Sequence, residues 1–179
     1  ARKELDNGLS AWNLAMGSQE LYDWLDAEPQ LFHPGDLDYI HSVERISKLS
    51  NVISINGGVQ LDLMGQENAE SVGTRQLSGI GGQMDFLEGA FRSKGGKGFI
   101  CINSSRVTKD GQRKSNILAT IPGGSTISAP RTMIQYVATE YGIASLSGKT
   151  LRERAEAMAS IAHPDFREEL LKYARENFK

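Results

Sequence analysis

The residues with the greatest chemical promise are glycines. The chain has 179 residues, 19 of them glycine, and fourteen of those fall in the 68 positions from Gly57 to Gly124. At the centre of that stretch stands Ser78-Gly79-Ile80-Gly81-Gly82-Gln83, running into the amphipathic Met84-Asp85-Phe86-Leu87-Glu88-Gly89-Ala90-Phe91. Glycine adopts positive φ without cost and brings backbone N–H groups close to a ligand with no Cβ in the way. When such a loop opens a helix, the first-turn amides and the positive end of the dipole favour an anion or a developing oxyanion. A tight turn without a ligand uses the same residues, so both readings stand at this point. The spacing G-x-G-G departs from the dinucleotide fingerprint G-x-G-x-x-G.

Other chemistries are poorly served. His33, His41 and His163 are scattered, with no i, i+4 pair, and imply no metal site. The single cysteine, Cys101, excludes an internal disulfide and reads as a core residue in a reducing compartment. There is no G-x-S-x-G elbow and no Walker A motif. Lys and Arg number 20 against 22 Asp and Glu, a net charge of −2, which argues against a general nucleic-acid partner. The same balance sets aside the coincidence that Gly81-Gly82-Gln83 spells the tripeptide of peptide-chain release factors. The longest apolar runs, such as Phe99-Ile100-Cys101-Ile102, are too short to span a membrane. No targeting segment is visible, and a cytoplasmic location is expected. The chain opens on Ala1 without an initiator methionine, as a piece of a longer protein would.

The elements that must position the loop alternate in type. Residues 9–16 read as a strand, broken by Gly17-Ser18; Ser18 then caps a helix to Ala27 whose Leu21, Trp24 and Leu25 form one buried face. Residues 42–49 suit a short charged helix. Residues 51–56 and 59–63 read as strands, the second with strict alternation, and Gly57-Gly58 as a tight turn or bulge between them. A short strand near residues 70–72 precedes the loop. In the helix after it, Phe86, Leu87, Ala90 and Phe91 share one side. Residues 99–103 read as a fully buried strand, Lys109-Asp110-Gly111 as a hairpin turn, and residues 117–121 as another strand. Residues 133–141 fit helix or strand. Leu151, Ala155, Met158 and Ala162 begin a C-terminal helical pair, and Pro164 restarts the second member. The whole predicts an α/β layer fold, a mixed or mostly parallel sheet flanked by helices, with residues 1–179 as one domain.

Several motifs resemble a known family. Val59-Gln60-Leu61-Asp62-Leu63-Met64-Gly65-Gln66, Gly73-Thr74-Arg75 and the glycine loop with Met84-Asp85-Phe86 are similar to the C-terminal domain of acetyl-CoA hydrolase/transferase proteins. So are Thr139-Glu140-Tyr141-Gly142-Ile143-Ala144, Leu151-Arg152-Glu153-Arg154-Ala155 and Ile161-Ala162-His163-Pro164-Asp165-Phe166-Arg167, in the family's order. These are class I CoA-transferases, including butyryl-CoA:acetate and 4-hydroxybutyrate enzymes. The resemblance implies a CoA-transferase-like fold and a reaction that moves coenzyme A between a short-chain acyl-CoA and a carboxylic acid. It proceeds through a glutamyl-CoA thioester.

By the same resemblance Ser78, Gly81 and Gly82 belong to the loop beside the thioester, Lys109 is assigned to the CoA phosphates, and His41 and Asn56 lie where substrate is bound. No metal is implied. The nucleophilic glutamate is expected upstream of Ala1, so no catalytic residue is assigned within this chain. The 179 residues then read as the C-terminal part of a two-domain enzyme, inactive alone, whose missing partner is its own N-terminal half. Self-association into a homo-oligomer is also implied. The alternatives are an acyl-CoA hydrolase, or a non-catalytic CoA- or subunit-binding module on the same fold. A side chain at Gly82 is expected to cost turnover and to leave folding nearly intact.

Overall fold

The computed structural model describes residues 3–179. The N-terminal quarter is made of short pieces. β1 (Ser10–Trp12) pairs in parallel with β2 (Phe32–Pro34), and between them lies α1 (Gln19–Ala27). Then come α2 (Leu37–Ile40) and α3 (Val43–Lys48). Only residues 10–12 of the expected first strand form a ladder. Ser18 is the N-cap of α1 by position, without a side-chain cap bond, and no α1 residue is buried. Trp24 stays 49% exposed, resting edge-on against Phe32, so the expected buried face is uncovered. In α3 the pattern holds: the Ser42 hydroxyl accepts from Arg45 N, and Ile46 is the buried member.

The centre is a four-stranded sheet ordered β13-β12-β8-β3, comprising β3 (Ile53–Gly57), β8 (Lys97–Cys101), β12 (Tyr136–Thr139) and β13 (Gly142–Ser145). β3, β8 and β12 run parallel, and β13 closes an antiparallel hairpin with β12. Residues 136–139, ambiguous by pattern, are therefore strand. The connection from β3 to β8 passes through a second small sheet containing β4 (Gln60–Asp62) and β5 (Glu67–Asn68). It continues through β6 (Ser71–Val72) and β7 (Arg75–Gln76), then α4 (Gln83–Arg92). Gly57-Gly58 is thus no hairpin turn, because β3 and β4 lie in different sheets. Beyond β8, β9 (Ser105–Val107) and β10 (Arg113–Ser115) form an antiparallel hairpin, as the Lys109-Asp110-Gly111 signal predicts, and Gly111 has φ +80°. β11 (Ile117–Leu118) pairs with β4.

The core gathers on one face of the main sheet. Ile100, Val137 and Ala144 meet Leu87 and Ala90 of α4, and Ala155, Met158 and Ala159 of α5 (Leu151–Ser160). Leu170 and Ala174 of α6 (Pro164–Asn177) extend it, giving the expected C-terminal pair. α5 starts with a reciprocal capping box between Thr150 and Glu153. Arg154 on α5 is a buried staple: its guanidinium donates to the carbonyls of Met64, Leu146 and Arg131, each at 2.8 Å. The opposite face of the sheet is bare. Ile53, Ile55 and Ile143 are 53%, 68% and 63% exposed there, and Cys101 on the same face is exposed rather than core.

Candidate active site

β3, β8 and β12 end together at Gly57, Cys101 and Thr139. The exit of α4 is tied to the opposite ends of those strands, where Asn51 N donates to Lys94 O and Lys97 N to Val52 O. α4 therefore runs antiparallel to the strands, and its N-terminus, with the glycine loop before it, lies at their carboxyl ends. In open α/β sheets ligands bind in the crevice at that edge. Two clefts open there: Gly58, Cys101, Asn103, Thr139 and Glu140 line one, and His41, Ser42, Gly81 and Asp85 the other.

Loop geometry separates the three glycines. Gly81 has φ +59°, in the left-handed region, whereas Gly79 has open space around it. Gly82 is the N-cap of α4 at φ −91° with no capping side chain, so the first-turn amides of a ten-residue helix have no side-chain acceptor. What requires glycine at Gly82 is a neighbour. A Cβ there would run into the imidazole of His41. A side chain at Gly82 therefore requires the His41 ring to shift, which bears on the expectation that it leaves folding nearly intact. The His41 ring is held edge-on to Phe86, with Nδ1 3.4 Å from the Asp85 carboxylate and Nε2 3.3 Å from the Asn13 amide. Two of the expected site residues, His41 and Gly81, thus line one cleft together with Asp85, and Gly82 packs against His41 beside it.

Beneath the loop lies a group that sequence reasoning passed over. Gln83, the first residue of α4, donates its amide to Oε2 of Glu67, which is 0% exposed. Burial pushes the Glu67 carboxyl up to about 8, against the opposing pull of the Gln83 amide. Oε1 has no hydrogen-bond partner. It faces Gly58 so closely that a Cβ there would stand 2.7 Å away. Gly58 is thus glycine because a carboxyl oxygen occupies the space of its side chain.

The remaining expected residues are more dispersed. Ser78 is exposed at the loop's start, its amide reaching Glu70 O at 3.3 Å. Asn56 sits on the helix-covered face of β3 and donates to Ser54 Oγ at 2.8 Å, a local tie. Lys109 is exposed in the turn of the β9–β10 hairpin and lines neither cleft. Glu140 accepts from the amide and hydroxyl of Ser104, at 2.9 and 2.6 Å. No cluster of three His, Cys, Asp or Glu side chains that could hold a metal occurs among the described residues. Among the described residues no helix is long and apolar enough to cross a membrane.

An α/β sheet with a glycine loop and an uncapped helix end at its carboxyl edge is the frame of a ligand site, and comparison with known proteins gives the family. Residues 17–174 match the model of the acetyl-CoA hydrolase/transferase C-terminal domain, and the chain belongs to that family. It is 44% identical over 174 residues to butyryl-CoA:acetate CoA-transferase of Anaerostipes caccae, covering 97% of this chain and 39% of that protein. It is 42% identical over 177 residues to 4-hydroxybutyrate coenzyme A transferase of Clostridium kluyveri, covering 99% and 40%. The crystal structure of RipA from Yersinia pestis superposes with a TM-score of 0.86 at 39% identity, over 98% of this chain and 38% of that one. The chain spans about two fifths of the length of these relatives.

Proposed function

We propose that this chain is the C-terminal part of a CoA-transferase that moves coenzyme A between a short-chain acyl-CoA and a carboxylate. The uncapped N-terminus of α4 behind Gly81 and Gly82, at the carboxyl edge of three parallel strands, carries the reading. There the amides of Gly82 and the first turn act as donors to the thioester oxygen or to the oxyanion that forms when it is attacked. The attacking glutamate comes from the part of the enzyme upstream of this chain. Its carboxylate displaces CoA thiolate from the acyl-CoA to give a mixed anhydride. The thiolate then attacks the glutamyl carbonyl of that anhydride, releasing the donor acid as its carboxylate and leaving the glutamyl-CoA thioester, and the acceptor carboxylate runs both steps in reverse.

His41 and Ser78 flank the substrate in this reading, and Asn56 lies behind them on β3. Lys109 rides on a hairpin with Arg106, Arg113 and Lys114, which leaves the sheet edge directly after Asn103; this supports its assignment to the CoA phosphates. The bare apolar face of the sheet supports a second unit of the same enzyme as its cover. Hydrolysis is the second reading, favoured by the family description itself; it differs in whether water reaches the glutamyl-CoA.

Radiolabel exchange between acetyl-CoA and a short-chain acid tests the proposal. The enzyme extended upstream to the length of its relatives should exchange label and form a hydroxylamine-sensitive CoA adduct, whereas the 179-residue chain should do neither. Exchange by the short chain would overturn it, and CoA release without any acceptor acid would turn it into the hydrolase.

A further inference from the structure

We infer that Glu67 is the positioning residue of the glycine loop: its neutral carboxyl holds Gln83 and thereby fixes Gly81, Gly82 and the first turn of α4. This deepens the reading of the loop as the thioester site, and it rests on that reading for its functional meaning.

Little else in the loop itself can hold it. Gly82 offers no capping side chain, Gly81 sits at a positive φ, and Gly79 touches nothing. Residues 79–81 are exposed, so packing does not fix them. The start of the loop is tied at Ser78 to Gln76 and Glu70, and two contacts hold its far end. His41 presses on Gly82 from the solvent side, and from below Gln83 is tied to Glu67. Glu67 is itself immobile, because its backbone is bonded to the segment at Ser128 and Ala129, with Glu67 N donating to Ala129 O at 3.0 Å and Ser128 N to Glu67 O at 2.8 Å. The pair Glu67–Gln83 thus joins the rigid small sheet to the end of α4.

The carboxyl must be neutral for this to work. A buried carboxylate needs several donors, and here Gln83 supplies one while Oε1 has none. The elements around it bring no cation to it: Arg131, beyond Ala129, and Arg154 of α5 both turn to Met64. On its own hairpin Asp62 accepts from Met64 N, Gln66 N and the Gln66 amide, and Glu70 accepts from Ser128 and Gln76. On α4 Asp85 turns to His41; at the strand ends are Cys101, which accepts from Gly58 N through its carbonyl, and Glu140, bonded to Ser104. None of these charges bonds to Glu67, and burial raises its pKa accordingly. Ionisation would place an unpaired charge under Gly58 and loosen the end of α4.

NMR on the 179-residue chain with labelled glutamate, glycine and phenylalanine tests this without recourse to turnover, so failure here is distinct from failure of the CoA-transferase reading. The Glu67 carboxyl should titrate near pH 8, and the Gly81 and Gly82 amides should shift with the same midpoint. At pH 9 about one tenth of the clamp remains protonated, so protection of the Phe86 amide, which closes the first turn of α4 on Gly82 O, should fall about tenfold from its value at pH 7 once corrected for intrinsic rates. In Glu67→Gln, which keeps an acceptor for Gln83 but cannot ionise, the loop amides should hold their low-pH positions throughout. In Gln83→Leu the carboxyl should still titrate while the loop amides no longer follow; this second variant carries the test if Glu67→Gln does not fold. A Glu67 midpoint in the ordinary range, or loop amides indifferent to it in the wild-type chain, would overturn the inference.

Discussion

The two faces of the main sheet are built from the same kinds of residue and meet opposite fates. On one face Ile100, Val137 and Ala144 disappear beneath α4 and α5. On the other, Ile53, Ile55 and Ile143 stand in the open, with Phe99 stacked on Tyr136 at 4.9 Å. Parallel strands are normally buried on both faces because their crossover helices cover both. Here the single helical crossover, β3-α4-β8, covers one. The contrast teaches that the stability of this chain resides on the covered face, that the bare face adds little to it, and that the glycine loop lies at the carboxyl edge of the strands both faces share.

Removing the covered face should produce the largest effect. Leu87→Ala or Ile100→Ala should cost about 2–5 kcal/mol in urea unfolding, and a loss below 1 kcal/mol would dissolve the distinction. Next comes the buried carboxyl. Glu67 holds its proton up to about 8 in the folded chain, while the unfolded chain releases it near the ordinary 4.5. The stabilisation is complete below the lower value and is lost as pH rises to the upper one, by on the order of 1 kcal/mol per pH unit. Above pH 8 the slope should vanish, and Glu67→Gln should remove it altogether.

A smaller effect is expected at the loop. Gly82→Ala should cost about 1–3 kcal/mol because the His41 ring must move. Combining it with His41→Ala should recover part of that loss in a double-mutant cycle, whereas additivity would separate the two residues. The smallest belongs to the bare face: Ile55→Lys and Ile143→Lys should change the stability of this chain by less than about 0.5 kcal/mol. A drop of several kcal/mol would show that face to be structural.

Much of this frame was legible from residues alone. The order of strands and helices, the hairpin at Lys109-Asp110-Gly111 and the C-terminal pair follow from local periodicity and turn chemistry. The motif order carried the family, and the loop before Gln83 was visible as glycine spacing. Three things were not legible, for one reason: burial here is set by partners distant in sequence. Gln60 and Asp62 alternate with Leu61 like the wet side of a strand, yet all three are buried, because β4 lies between β5 and β11 and Asp62 caps the turn to Gln66. Trp24 has helical spacing for a core that this chain does not supply. Glu67 stands in the polar run Gln66-Glu67-Asn68, which resembles a surface loop until Gly58 and Ala129 close over it. The one available signal was Gly58, whose lack of a side chain makes room for a carboxyl oxygen from another strand.

The staple made by Arg154 bears on how the chain comes together in time. Its three carbonyl acceptors belong to Met64, Arg131 and Leu146, all made before it, and two lie in turns with no other tie to α5 of comparable strength. During synthesis those turns wait, unlatched, until α5 leaves the ribosome. A chain halted before residue 150 would hold every strand of the sheet and lack the Arg154 guanidinium that joins three separate loop segments at once. Lysine in that place would keep the charge but reach fewer of the carbonyls. The last sixth of the sequence thus acts as the fastener of a fold whose sheet and glycine loop were written much earlier.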